Sequence, residues 1–100
     1  MSVYIGSFEV RPRLGAEMYG KAAGGFTYCL IDAGTVSEAA GLMRDALEAD
    51  NYYIVEVEWV RLSAECEWET TEQQNSYDML GQQASRGEGV VYGPFYTYAT

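Results

Sequence analysis

Glu65, Glu67 and Glu69 alternate with Cys66 and Trp68, and Glu56 and Glu58 repeat that spacing a few residues upstream. On an extended backbone, alternate side chains share a face and stand about 6.7 Å apart, so each set would form a row of carboxylates. Clustered carboxylates can hold a hard cation, and a pair can divide acid from base work when one of them is desolvated. A straight exposed row suits neither task. A cation cage needs six or more oxygens converging on a point, whereas a row diverges, and neighbouring solvated glutamates have nothing to separate their pKa values. No catalytic residue, metal site or cofactor is therefore expected from them.

Other constellations are missing from the chain. Without histidine there is no imidazole base or ligand, and no Ser-His or Cys-His pair. The stretch Gly20 to Gly25 contains a Gly-Lys step, but it lacks the following Ser or Thr and the four-residue interval of a phosphate-binding loop. It reads as a flexible hairpin loop. Cys29 and Cys66 form an even pair, but two cysteines in a chain of this length are far from a disulfide scaffold, so free thiols are expected.

The charge distribution carries more. The 100 residues hold 15 acids and 6 bases, a formal charge of -9. Residues 45 to 78 contain ten acids against Arg61 alone, so the whole imbalance lies there and the remainder is neutral. Such a field disfavours a phosphate backbone or an anionic membrane as partner and steers association with a basic surface. Duplex DNA presents one charge per about 1.7 Å of axis, so nucleic-acid mimicry would need several carboxylate rows combined. The nine tyrosines and two tryptophans supply rings that serve either as core or as interface anchors.

The elements that must position these groups follow from periodicity. Val3 to Val10 alternates as a strand, with Tyr4, Phe8 and Val10 on one side and Val3 and Ile5 on the other; Pro12 stops it. Leu14 to Gly25 is a glycine-rich loop, and Phe26 to Asp32 is a second strand completing a long-looped hairpin. Thr35 stands three residues before Glu38, a capping spacing, and Val36, Ala39, Ala40, Met43, Ala46 and Leu47 follow at helical steps. That helix should end near Asp50-Asn51 and pack on a strand face carrying Tyr53, Val55, Val57 and Trp59.

Past Trp59 the apolar phase slips by one, which places a β-bulge near Trp59-Val60 or a change of direction near Ser63. From Val60 to Trp68 the alternation again reads as strand. Thr70 to Arg86 fits a shorter helix with Tyr77, Leu80 and Ala84 inward, and Gly89 to Tyr98 closes the chain as a strand that Pro94 confines to a sheet edge or a bulge. The order is β-β-α-β-α-β in a single α+β domain spanning residues 1–100. A single antiparallel sheet of about four strands is expected, with two helices on one face, as a ferredoxin-like relative.

The functional expectation is a non-enzymatic acidic binding module that occupies a basic protein or nucleoprotein surface. Its class would be inhibitor, immunity or anti-defence protein, anti-CRISPR proteins included. Glu56, Glu58, Glu65, Glu67, Glu69, Glu72 and Trp68 are the residues assigned to that contact. No direct nucleic-acid or membrane binding is expected, and residues 1 to 20 hold no uninterrupted apolar signal core, which places the chain in the cytoplasm. The alternative is a ferredoxin-like homodimer enclosing a small-molecule pocket lined by Tyr28, Trp59 and Tyr96.

Overall fold

In the computed structural model, which describes residues 2–87 and 89–99, the strand β1 (Ser2–Pro12) pairs antiparallel with β2 (Gly24–Ala33) in unbroken register, Ser2 opposite Ala33 and Val10 opposite Gly25. On its other side β1 pairs antiparallel with β3 (Tyr52–Leu62). The outer edge of β2 is covered by two short strands, β4 (Val91–Tyr92) and β5 (Tyr96–Tyr98). One antiparallel five-stranded sheet results, in the order β3-β1-β2-β4 with β5 also on β2. The expected α+β class and element order hold, and the closing strand is simply split in two. Gly93 to Phe95 make the split: the Gly93 N–H donates to the Tyr28 carbonyl at 2.8 Å, and Pro94 has no N–H to continue a ladder.

Helix α1 (Val36–Ala49) starts where the sequence places it, with the Glu38 N–H donating to the Thr35 hydroxyl at 3.1 Å. It ends at Asp50, and Asn51 turns the chain with φ 68°. Its inward residues are Ala39, Met43 and Leu47. They meet Phe8 and Val10 of β1 and Cys29, Ile31 and Ala33 of β2. Gly6 lies beneath this contact: a Cβ there would sit 2.7 Å from Phe8 Cε2 and 2.8 Å from Met43 Sδ, so the helix descends where the sheet has no side chain.

Helix α2 (Thr71–Ser85) is capped in the same way, the Gln73 N–H donating to the Thr70 hydroxyl at 3.1 Å, and Gly87, at φ 78°, turns the chain out of it. Tyr77 and Ala84 pack with Ile5 and Leu30, alongside Val3, Tyr28, Trp59 and Trp68. Because β1 and β2 alternate regularly, Phe8, Val10 and Cys29 face one way and Ile5, Tyr28 and Leu30 the other. The two helices therefore cover opposite faces of the sheet, and the ferredoxin-like packing with both helices on one face is not formed. β1 is apolar on its α1 side at Tyr4, Phe8 and Val10 and on its α2 side only at Val3 and Ile5, beyond which that phase turns polar at Ser7, Glu9 and Arg11.

The register slip in β3 is real but double. Phe8 faces Val57 while Ser7 faces Trp59, and Val10 faces Ile54 while Glu9 faces Glu56, so Glu58 and Val55 are each the extra residue of a bulge. Tyr52, Ile54, Val57 and Val60 consequently face α1. Of the four residues expected there, only Val57 arrives; Tyr53 and Val55 are 52% and 40% exposed, and Trp59 joins the α2 face.

Cys29 and Cys66 are both free, one in each face's cluster, so the sheet separates them. Burial pushes the Cys29 thiol up from 9.0 to about 12 and also raises Cys66, whose neighbour Arg61 offsets part of that rise. At pH 8 Cys29 should hold about a thousandfold less thiolate than an ordinary thiol, and its reaction with a disulfide reagent should wait for unfolding. A stopped-flow thiol assay with and without denaturant reads this directly; a fast reaction of Cys29 in native buffer would contradict the packing. Among the described residues, no helix is long and apolar enough to cross a membrane.

Candidate functional site

Half of the α2-side face of the sheet is left open. α2 lies over Ile5 and Leu30, and beyond Ser7 the same face runs on through Glu9 of β1, Phe26 of β2 and Trp59, Glu56 and Tyr53 of β3. Tyr96, opposite Phe26, and Tyr98, whose hydroxyl reaches Glu9, extend it on β5. Phe26, Tyr53 and Tyr96 are 38%, 52% and 59% exposed. The patch thus combines accessible rings with carboxylates.

Its acids are held close. Glu9 and Glu56 are directly opposed across β1 and β3, a position where Cβ atoms lie about 5 Å apart and like charges destabilise the pair. Glu58, the bulged residue, turns toward the same face, where its Oε1 accepts from the Ser7 hydroxyl at 2.6 Å. The Tyr98 hydroxyl donates to Glu9 Oε2 at 2.6 Å, and the Phe26 and Tyr98 rings pack at 5.8 Å. Two hydroxyls therefore orient two carboxylates. Bases border the strip: Arg11, exposed, lies two residues on from Glu9 and opposite Tyr53, the Arg61 guanidinium lies 4.1 Å from the Trp59 ring centre and that of Arg13 lies 5.5 Å from the Tyr53 ring centre.

The downstream acids occupy different ground from the row expected of them. Ser63–Glu65 is a turn of 3-10 helix, and residues 66 to 70 carry no strand, so Glu65, Glu67 and Glu69 form no ladder. All three are exposed, as is Glu72 in the first turn of α2, where a negative charge suits the helix N-terminus. Trp68, assigned to the contact from its place among the acids, is half-buried instead. Its ring stacks on Tyr77 at 4.3 Å with 7° between the planes and meets Tyr28 edge-on at 5.8 Å. That packing carries the connector, with its acids, across the same side of the sheet as Glu56 and Glu58. Glu9 belongs to the patch but was not singled out in the sequence, because it lies 47 residues from Glu56. The signal available was its place on the inward-outward alternation of β1.

Among the described residues, no group of three or more Cys, Asp or Glu side chains is placed to hold a metal ion. Burial, and then the Glu58 carboxylate, raise the Tyr28 phenol above its ordinary value, which keeps it protonated and a hydrogen-bond donor. Tyr28 and Trp59 pack against each other at 5.6 Å. The hollow beside them, lined by Ser7, Phe26, Thr27, Tyr28, Glu58 and Tyr96, measures about 130 Å³, well below the roughly 300 Å³ at which small-molecule pockets begin. No protein-family model matches the chain, and no curated protein and no solved structure matches it.

Proposed function

We propose that the chain is a non-enzymatic acidic binding module that docks on a basic protein or nucleoprotein surface through the open half of its sheet, as inhibitors, immunity proteins and anti-defence proteins do. The observation that carries this reading is the opposed pair Glu9 and Glu56, with Glu58 beside it, on a sheet face that α2 leaves uncovered and exposed rings border. Burying a cation of the partner between these carboxylates would relieve their repulsion and give it rings to lie against. Glu65, Glu67, Glu69 and Glu72, exposed on the adjoining connector and helix, extend the field that steers approach. Two unpaired thiols favour a reducing compartment such as the cytoplasm as its place of action.

The test uses the variant Glu9→Gln, Glu56→Gln, Glu58→Gln. Glutamine keeps an accepting oxygen for Ser7 and Tyr98, so the fold should melt at the same temperature or slightly higher. Partners captured at low salt from an extract of the encoding organism should then associate with the variant about tenfold more slowly at low ionic strength, with a flattened salt dependence. Association at the wild-type rate at both low and high salt would reduce the patch to solvated surface.

A further inference from the structure

A second feature lies on the opposite face, where α1 ends. A hollow of about 360 Å³ opens there, lined by Gly15, Glu17, Asp50, Tyr52, Tyr92 and Phe95 among others. Its size falls within the usual range of small-molecule sites, about 300 to 1,000 Å³. A further hollow of about 330 Å³ adjoins it, sharing Glu17, Tyr52 and Phe95 and adding Met18 and Lys21. The wall between them is aromatic: Tyr52 and Phe95 stack at 5.3 Å, and Tyr92 meets Phe95 edge-on at 6.0 Å.

The polar side of the first hollow is negative from three sources. Asp50 is the C-cap of α1, Glu17 stands in the loop before β2, and the helix itself presents its negative end, with no base in its last turn to answer it. The Tyr92 hydroxyl donates to Asp50 Oδ2 at 2.7 Å, which anchors that carboxylate in the wall. Burial, and then Asp50 itself, push the Tyr92 phenol upward, so it remains a donor at neutral pH. Lys21 lies in the neighbouring hollow and is the base nearest to hand among the lining residues.

We propose that the first hollow binds an organic cation, an alkylammonium or guanidinium group seated between Asp50 and Glu17 against the rings of Tyr92 and Phe95. A positive group would gain there from two carboxylates, a helix terminus and the aromatic rings that line the hollow. A hard metal ion would find too few oxygens, whereas a ring wall favours a cation that carries carbon. The same chemistry is presented by a free polyamine and by a lysine side chain of another protein. This site shares no residue with the acidic patch, so it stands or falls independently of the binding-module reading.

The experiment is an amide NMR titration of the whole chain with n-butylammonium, using n-butanol as the uncharged match. Expected are saturable shifts at the amides of residues 49–52, 92, 93 and 95 with the ammonium and none with the alcohol. Asp50→Asn and Glu17→Gln should each weaken binding about tenfold, Phe95→Leu severalfold, and Lys21→Ala should leave it equal or tighter. Glu17 lies outside every helix and strand, so its variant reports on binding even if Asp50→Asn loosens the end of α1. Spermidine and the peptide Gly-Lys-Gly distinguish the sources: the tighter of the two names the natural occupant's class. An absence of saturable shifts, an equal response to n-butanol, or wild-type binding by both carboxylate variants would overturn the proposal.

Discussion

Phe8→Ala should lower the free energy of unfolding by about 3 to 5 kcal/mol and Leu47→Ala by about 2 to 5 kcal/mol, read from urea denaturation curves. Both side chains are completely buried, Phe8 in the central strand and Leu47 on the last inward turn of α1, and they share one cluster with Met43 and Ile31. Truncation loses the transfer of the removed carbons from water and leaves a cavity that close neighbours refill only in part. Against a net stability of about 5 to 15 kcal/mol for a domain of this kind, either loss is severe. Val36→Ala and Leu42→Ala supply the contrast, since those residues are 46% and 39% exposed and should each change stability by no more than about 0.5 kcal/mol. Equal costs at Leu42 and Leu47 would mean that α1 presents a different stripe to the sheet.

Trp68→Ala should cost about 3 kcal/mol, the low end of the range for removing a tryptophan because the ring is only half-buried. Its stack on Tyr77 and its edge contact with Tyr28 are what close the α2 side of the core. Were Trp68 a free anchor for a partner, the substitution would leave the melting temperature unchanged and affect association alone. Tyr77→Phe makes a sensitive companion. Among the described residues the buried Tyr77 hydroxyl has no well-formed hydrogen bond, its polar neighbour being Tyr96, so deleting it should change stability by no more than about 1 kcal/mol. A large loss on Tyr77→Phe would show that the hydroxyl is paired after all, and would relocate the weak point of this cluster.

The two helices illustrate what local sequence can carry. Thr35 and Thr70 each stand three residues before the N–H they cap, and the inward positions recur at three- and four-residue steps; both features are contained within a few turns of chain and need no distant partner. The connector after β3 shows the opposite. Cys66 and Trp68 alternate with Glu65, Glu67 and Glu69 as they would in a strand, yet that stretch is a turn and an irregular crossing. Alternation records only that every second side chain is buried, and packing against Tyr28 and Tyr77 produces it without any strand ladder. The same limit explains β3. Both of its phases contain apolar residues, so period-two counting shows one slip near Trp59 but not the second bulge at Val55, which only the pairing with β1 reveals.

Charge, element order and the place of the closing segment around Pro94 at a sheet edge were legible in the sequence alone, because composition and backbone chemistry are properties of the chain itself. The meeting of Glu9 with Glu56, the separation of Tyr92 from Tyr96 and Tyr98 by the break at Gly93 to Phe95, and the placing of the helices on opposite faces were decided by the tertiary structure. Each depends on which residues a strand finds beside it, and that is a contact between segments far apart in sequence, selected by burial of the whole sheet rather than by any preference of its parts.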